Sequence, residues 1–277
     1  MFNAINKIIF AAMVLSLPLL SCSDKNRSDA SALFAESEAA ISSANYSGAL
    51  VLLDTLNSRY PDQVDIRRDA LRLRALAMQG LATDSIAIGS EALAVATLRV
   101  EELRPKFRHV DSSVGLEGYF IPDGAPEKVM TTTGIQARVS DKGFFYIVAN
   151  LQGKSIGLNS LEFVDETESV STSTISEARI VKVEGSESVS FNPEDLEGVG
   201  AWLSNHSTAN KIVMHGSKGS VNVKLDDKLR TQLVACHEFS EALQAQRLAS
   251  IKREKYERML ATARDQLANL PQPDQSK

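Results

Sequence analysis

The side chains that could carry chemistry are spread thinly along this sequence. Its four histidines are His109, His206, His215 and His237, and no HxxxH or CxxC spacing brings metal ligands onto one face of an element. Scattered surface or half-buried histidines are the better interpretation. We therefore predict no metal site and no cofactor.

Acidic residues are densest between Glu162 and Glu168, where a pair of carboxylates is the catalytic hypothesis. Glycosidases use two carboxyl groups about 5–10 Å apart, and Glu162, Asp165, Glu166 and Glu168 are the candidates. Acids this dense in a Ser/Thr-rich segment are more typical of a solvated loop. The run 216–219 (GSKG) lacks the GxxxxGK[ST] pattern of a phosphate loop and indicates a hairpin turn. We predict that the chain is not an enzyme, and an envelope hydrolase stays open as an alternative.

The first 22 residues have the pattern of an export signal. Lys7 precedes an apolar run from Ile8 to Leu20, and about 13 apolar residues are too few for a membrane-spanning helix, which needs about 20. A charged start, a short apolar core and a small residue before the cleavage point are typical of secretion. The ending Leu19-Leu20-Ser21-Cys22 resembles a bacterial lipobox, which implies a signal peptide over 1–21 and a lipidated Cys22.

Charge and cysteine content limit the partners. The formal net charge is −5, so the chain lacks the positive field that draws proteins to nucleic acid or to anionic lipid. We therefore predict no nucleic acid and a membrane contact through the lipid anchor alone. Under the sorting rule of enteric bacteria, Ser23 after the lipidated Cys22 implies the outer membrane. The remaining cysteine, Cys236, has no disulfide partner and is predicted to be a small buried hydrophobe.

A flexible tether over 22–31 is predicted to lead into a helical region over 32–109. The tether residues are small and polar, without periodicity. In the helical region a second apolar face, which includes Ala49 and Leu53, ends at Tyr60-Pro61 because Pro61 cannot extend a helix.

This helix–turn–helix resembles the second half of a tetratricopeptide repeat, whose Gly-Asp-Tyr, Ala and Pro positions correspond to Ala44-Asn45-Tyr46, Ala49 and Pro61. It is also similar to repeats in outer-membrane lipoproteins that support β-barrel assembly. Two features depart from the repeat: position 44 is Ala rather than Gly, and the first helix lacks the usual large aromatic. The resemblance implies a groove for a partner helix or peptide, with Tyr46, Leu53 and Tyr60 as candidate contacts. An ordinary helical hairpin is the alternative.

Two long helices are predicted on either side of a β-rich region. The first begins near Thr83, and its residues Ile86, Leu93, Val100 and Phe107 fall seven apart, with Gly89, Ala96 and Leu103 three residues after the first three. The second covers 226–270, before a tail over 271–277, and carries a stripe that includes Leu248, Ile251, Tyr256 and Ala263. Each stripe needs a partner helix, so we predict that the two helices pair antiparallel.

The region 110–225 is predicted to be β-rich because short β-branched runs alternate with turn signals. Candidate strands are Gly115–Ile121, Gly134–Val139, Phe144–Leu151, Leu161–Val164, Arg179–Glu184, Val189–Phe191, Lys211–His215 and Val221–Leu225. One helix capped by Asn192 interrupts them. The run that starts at Phe144 does not alternate, which indicates a central strand. Tyr119 is the aromatic side chain on a strand that we expect to be free to bind a ligand.

The predicted fold class is α+β: an N-terminal helical hairpin and a long antiparallel helix pair flanking an inserted antiparallel β-rich barrel or sandwich. The chain resembles uncharacterised envelope lipoproteins of the Bacteroidetes type, which implies a location without a mechanism. We expect a non-catalytic interaction or scaffold protein of a bacterial cell envelope, with a protein partner there. The alternative is a carbohydrate- or peptide-binding β-module on a helical stalk.

Overall fold

The chain folds into two compact units. The computed structural model describes residues 19–111, 117–126, 132–183 and 185–271. One unit combines the chain up to Ser90 with the segment from Ile251 onward, and the other is Glu91–Ser250. Most of the predicted signal peptide, the Cys22 side chain, the predicted strand ends Gly115 and Glu184, and residues 272–277 of the tail lie outside this description.

Three helices begin the first unit: α1 (Leu19–Ser42), α2 (Tyr46–Arg59) and α3 (Val64–Leu103). The Asn45 side chain accepts a hydrogen bond from the Gly48 N–H and so caps α2. The residue before it, Ala44, has a φ of 58°, which is the left-handed conformation that glycine adopts most easily. The predicted hairpin is therefore present, and α1 packs against α2.

The residues that we predicted as a tether are helical. They belong to α1, where Ala30 is fully buried in a cluster with Leu53, Leu56 and Ala70. The Arg27 guanidinium also lies 2.6 Å from the Asp65 carboxylate. Small polar residues around one alanine give no apolar period, yet Ala30 packs against α2 and α3 together with Leu33 and Phe34 of the same helix.

The two long helices run antiparallel in both units. α5 spans Asp227–Asn269, and each unit contains part of α3 and part of α5. In the first unit a Cβ placed on Gly89 would lie 3.7 Å from the Arg253 Cβ. In the second, Gln246 donates to the Thr97 hydroxyl over 3.1 Å, and Arg99 lies 3.0 Å from Glu238. The predicted antiparallel pair is confirmed.

Several details of the predicted pair are wrong. The first long helix begins at Val64 rather than near Thr83 and ends at Leu103, because Pro105 falls in a short 3-10 turn. Phe107 is therefore in a strand. Leu248 and Ile251, which we assigned to the contact stripe of the second helix, are exposed.

Among the described residues of the second unit, ten strands form two antiparallel sheets. The six-stranded sheet has the order β1-β2-β3-β4-β8-β7 and the four-stranded sheet the order β10-β9-β5-β6. Their bounds are β1 (Phe107–Val110), β2 (Tyr119–Pro122), β3 (Gly134–Ser140), β4 (Phe145–Leu151), β5 (Leu158–Val164), β6 (Ser169–Ser171), β7 (Val181–Val183), β8 (Ser186–Phe191), β9 (Lys211–Gly216) and β10 (Gly219–Lys224). α4 (Val199–Asn205) lies between β8 and β9.

One face of each sheet supplies a shared core, together with the parts of α3 and α5 in this unit. Phe163 from β5, Phe191 from β8 and Phe239 from α5 are fully buried in it. Phe239 stacks on Phe107, with ring centroids 4.4 Å apart. Ser240 of α5 accepts a hydrogen bond from the Phe145 N–H and donates one to the Gly143 carbonyl. The compact unit is accordingly wider than the predicted β region 110–225.

The strand pattern follows the predicted periodicity with two omissions. β4 lies between β3 and β8 and is buried on both faces, as its unbroken apolar run predicted. β10 alternates between exposed and half-buried residues. β1 and β6 were missed. Asn192 is a cap as predicted, with a capping box to Asp195, but it caps a short 3-10 turn over Pro193–Asp195. The predicted helix itself begins later, at Val199, because Gly198 adopts a left-handed conformation that separates the two.

Candidate functional site

The histidines lie apart, and each contacts at least one carboxylate. His109 contacts Asp141 at 2.7 Å and Asp111 at 3.0 Å. His206 contacts Glu168 at 2.9 Å, and His215 contacts Glu162 at 2.9 Å. His237 lies 3.5 Å from Glu241 on the same helix. Within the described ranges no group of three or more His, Cys, Asp or Glu side chains is arranged to hold a metal ion.

The acids of the β5–β6 segment are separated by their own partners. The His215 and Ser169 side chains hold the pKa of Glu162 below its ordinary value. Asp165 accepts a hydrogen bond from the Thr208 hydroxyl, and Glu168 accepts one from His206. Glu162, Asp165 and Glu168 thus each stabilise a local turn or strand contact, and Glu166 is exposed.

A buried carboxylate that sequence reasoning missed lies elsewhere, at Glu187 in β8. It is fully buried and accepts hydrogen bonds from the Ser155 hydroxyl and from the backbone N–H groups of Ile156, Gly157 and Leu158, over 2.6 to 3.1 Å. Burial raises the pKa of Glu187, but these hydrogen bonds outweigh burial and hold the pKa below its ordinary value. The carboxylate therefore joins β8 to the segment before β5, and its role is structural.

Asp195 is the second buried acid. It receives both nitrogens of the Arg179 fork, at 2.9 and 2.5 Å, and the Asn192 N–H at 2.7 Å. These contacts hold its pKa down against the effect of burial. Its place three residues after the predicted cap Asn192 was the signal that could have identified it.

Cys236 is buried, and burial raises its thiol pKa far above the ordinary range. A thiolate is the reactive form of cysteine, so this side chain is an inert part of the core. Its neighbour His237 packs against Gly200 of α4, where an added Cβ would lie 2.3 Å from the ring.

The three residues predicted to contact a partner, Tyr46, Leu53 and Tyr60, all pack against other residues of the first unit. The Tyr46 ring lies against Gly80 of α3, where a Cβ would approach it to 2.3 Å. Leu53 is buried in the cluster around Ala30, and Tyr60 packs against that cluster. Of the three, Leu53 also lines a cleft on the surface of the unit.

That cleft and a second one adjoin at Leu71 and Arg74, and we call the pair the Leu71 groove. The first cleft has a volume of about 230 Å³, with Leu53, Leu56 and Ala70 as its apolar residues. The second, of about 440 Å³, is completed by the end of α5, including Asp265 and Leu270. Leu71 is 51% exposed. Arg74 pairs with Asp54 at 2.5 Å, and Arg67 donates to Asn57 and to the Pro61 carbonyl, so the polar rim is held in place.

The second unit has an aromatic cleft of about 310 Å³. Its walls include Ser140, Phe144, Tyr146, Ser190 and Asn192. Burial raises the pKa of the Tyr146 hydroxyl above its usual value, and Arg138 opposes that effect.

Tyr119, the predicted free aromatic, is half-buried rather than open. The Arg138 guanidinium carbon lies 4.1 Å from the centre of its ring, which is a cation–π distance. The ring is thus already engaged on one face.

One helical stretch, Val64–Lys106, is long and apolar enough to cross a membrane on length and composition alone, among the described residues. Its most apolar window has a mean hydropathy of 1.3, and only 17% of that window is buried within the chain. Compared with protein-family models, with curated proteins and with solved structures, the chain shows no match.

Proposed function

We propose that this protein is a non-catalytic interaction or scaffold lipoprotein of a bacterial cell envelope, anchored in the outer membrane through Cys22 and binding a protein partner. The lipobox-like ending before Cys22 supports the anchor. The observation that carries the binding role is the Leu71 groove, a concave surface to which three helices contribute.

The Leu71 side chain is apolar and half-exposed, and it lies where the two clefts meet. Single exposed leucines are ordinary, but this one is flanked by the buried Leu53 and Leu56 and by charged groups at the rim. Grooves of this kind bind the apolar face of a helix or a peptide, with the apolar floor supplying affinity and the rim supplying orientation. The proposed occupant is therefore a peptide segment of an envelope protein that places an aliphatic side chain against Leu71.

The test is site-specific photo-cross-linking in intact envelopes, with a photoreactive side chain at Leu71 or at Val51. Val51 is a matched control because it is 65% exposed on α2 and outside both clefts. We expect one partner band from position 71 and none from position 51. Leu71→Glu should lower co-purification of that partner about tenfold or more, as loss of a hot-spot contact does, while Val51→Glu should not. Equal capture at both positions would rule out the groove.

A second candidate function is a carbohydrate- or peptide-binding β-module, favoured by the aromatic cleft of the second unit. Phe144 and Tyr146 offer ring faces beside the polar groups of Ser190 and Asn192, and aromatic faces with a few polar groups are typical of ligand sites. Retention on glycan or peptide arrays that is lost in Phe144→Ala and kept in Leu71→Glu would support this function. The opposite result would support the groove.

A further inference from the structure

Arg138 of β3 lies beside the aromatic cleft of the second unit. It is paired across the sheet with Tyr146 of β4, and Ser140 lies two residues further along the same face of β3. Both Tyr146 and Ser140 line the cleft. Tyr119 of β2 pairs with Ser140, and the Arg138 guanidinium carbon lies 4.1 Å from the centre of the Tyr119 ring. The Arg138 charge also opposes the rise in the pKa of the Tyr146 hydroxyl, so Arg138 is a neighbour of the cleft on its β3 side.

The Arg138 side chain is held in place by the protein itself. Its Nε donates a hydrogen bond to the Gln136 side-chain oxygen over 2.7 Å, and the Gln136 amide nitrogen in turn donates to the Pro126 carbonyl. Gln136 is only 3% exposed, so this support is buried. Nε and one face of the guanidinium plane are thus engaged. The two terminal nitrogens form the end that binds a carboxylate through paired hydrogen bonds.

The positive charge of Arg138 is not paired with an acid. Across residues 19–111, 117–126, 132–183 and 185–271, no ion pair includes Arg138. Two acids of this region are engaged elsewhere, because Asp141 contacts His109 at 2.7 Å and Glu117, which lines the cleft, pairs with Lys142. A half-buried guanidinium that is fixed in place and has no carboxylate suits the anionic group of a ligand.

The other walls of the aromatic cleft suit a sugar ring. Phe144, which is 38% exposed, and Tyr146 offer apolar ring faces, and Ser190 and Asn192 offer a hydroxyl and an amide. A sugar presents C–H groups to such rings and hydroxyls to such polar side chains. The cleft volume of about 310 Å³ is at the small end of the range for ligand pockets, which favours a small ligand or the end of a chain.

The position of the cleft within the sheet disfavours an extended peptide. The cleft lies over β3, β4 and β8, which are interior strands of the six-stranded sheet. A peptide that joins a sheet as a further strand does so at an edge. The edges of this sheet are β1 and β7, and neither strand contributes a described residue to the cleft. A ligand there is therefore held by side chains, which favours a compact polar molecule.

We infer that the aromatic cleft binds an acidic sugar, with the sugar carboxylate on Arg138 and the sugar ring against Phe144 or Tyr146. The inference rests on the second candidate function above and narrows its ligand to glycans that contain a uronic acid. The guanidinium supplies the selection for charge, because a planar fork matches the two oxygens of a carboxylate. The aromatic rings and the polar groups of Ser190 and Asn192 supply the contacts with the rest of the sugar.

The first test compares sugars that differ only in charge. The probes are disaccharides of galacturonate, glucuronate, mannuronate and guluronate, each beside its uncharged methyl ester, and their binding to the full chain in detergent is measured by calorimetry. At least one acid should bind about tenfold or more tightly than its ester, because a hydrogen-bonded charge pair is lost in the ester. Equal affinity for acid and ester would overturn the inference and leave a module for neutral sugars. Absence of binding by every acid up to about 10 mM would also overturn it, while retention of neutral glycans that is lost in Phe144→Ala would still support the second candidate function.

The second test identifies the side chain that contacts the carboxylate. Arg138→Gln removes the charge, so it should weaken binding of the acid about tenfold or more and leave binding of the ester unchanged. Arg138→Lys keeps the charge without the planar fork and should recover part of that loss. Lys218→Gln is the matched control, because Lys218 is an exposed cation between β9 and β10 of the other sheet, and it should change neither affinity.

Fluorescence of Trp202, in α4 of the same unit, checks that each variant is folded. Equal weakening in Arg138→Gln and Lys218→Gln, or equal weakening for acid and ester in folded Arg138→Gln, would overturn the inference. Binding of peptides through a free carboxylate, lost in Arg138→Gln and without any binding of uronates, would also overturn it and assign the cleft to a peptide.

Discussion

Replacing Glu187 with alanine should destabilise the Glu91–Ser250 unit by about 3–5 kcal/mol. The change removes a fully buried carboxylate that accepts one O–H and three backbone N–H hydrogen bonds. A buried donor left without a partner costs about 1–3 kcal/mol, so three N–H groups alone set a scale of about 3–9 kcal/mol. Removing a buried charge also relieves its desolvation cost, and water can enter beside the exposed Ser155. The low end of that range, about 3–5 kcal/mol, is therefore the expected loss.

The chain offers a selective probe for this measurement. Its single tryptophan, Trp202, lies in α4 of the same unit and stacks on His206, with ring centroids 4.0 Å apart. Urea unfolding followed by Trp202 fluorescence reports on this unit without a signal from the other. Glu166→Ala is the matched control, because Glu166 is an exposed acid of the same unit, and it should change the free energy of unfolding by less than about 0.5 kcal/mol. A loss below about 1 kcal/mol for Glu187→Ala would refute the argument from hydrogen bonds.

The stability difference between wild type and Glu187→Gln should depend on pH, because the contribution of this carboxylate depends on its ionisation. The folded-state pKa of Glu187 is lowered, so the wild-type carboxylate stabilises the unit above the unfolded pKa, about 4.3. That contribution is lost as the pH falls through the lower folded-state pKa. The difference in unfolding free energy between wild type and Glu187→Gln should therefore be largest near neutral pH and should shrink below about pH 4. A difference that grows on acidification would contradict it.

Three further predictions concern the anchor, the turn and the helix pair. Cys22→Ser should leave an unprocessed or soluble protein, because stable anchoring needs more than one acyl chain; membrane fractionation unchanged from wild type would show that the lipobox interpretation is wrong. Ala44→Gly should stabilise the helical unit by about 0.5–1 kcal/mol, since glycine removes the left-handed strain at φ 58°. Thermal unfolding by circular dichroism measures it, and Ala87→Gly, at an exposed position of α3 in the same unit, should shift stability the opposite way. Val100→Asp should lower the free energy of unfolding by about 3 kcal/mol, because Val100 packs against the core of the second unit. Val95→Asp, at an exposed position, should lower it little at low protein concentration. Equal losses of stability in the two variants would contradict the assigned faces of α3.

The features that could be predicted from the sequence are those with a local physical cause. The unbroken apolar run of β4, the alternation of β10 and the cap at Asn192 each follow from a few neighbouring residues. The antiparallel pairing of the long helices followed from two stripes that each needed a partner. Phe107 shows the limit of that reasoning. It continues the seven-residue spacing of α3, yet Pro105 ends the helix first, and the ring reaches the core from a strand by stacking on Phe239.

The features that were missed depend on contacts far along the chain. β6 is the segment Ser169–Ser171, which has no strand composition and exists because β5 offers it an edge. Glu187 was overlooked because an acidic residue at an inward strand position looks like an error until its donors, about 30 residues away, are known. The tether prediction was wrong for the same reason, because Ala30 is buried by residues of α2 and α3 that lie far along the chain.

The candidate sites also divide into residues chosen on a local signal and residues whose role depends on distant contacts. Tyr46 and Tyr119 were chosen as aromatic side chains at repeat-like or strand positions, and each has an intramolecular neighbour, Gly80 or Arg138. Leu71 was not chosen, because one leucine in a long apolar helix carries no local signal that distinguishes a groove from a core. Only the positions of α2 and the end of α5 around it define the two clefts.

The apolar residues of α3 lie on two different sides of the helix. A helix with this hydropathy is compatible with a membrane span, but its apolar residues divide into two stripes. One stripe, with Gly89 and Ala96, is buried within the chain, and the other, with Ile88 and Val95, is exposed and interrupted by Glu91. Asp84 and Glu91 recur on the exposed side, and an acid on that side is costly in lipid. The charges spaced along the exposed stripe therefore suit a solvated or protein-covered helix better than a membrane span, although the helix passes the test of length and mean hydropathy.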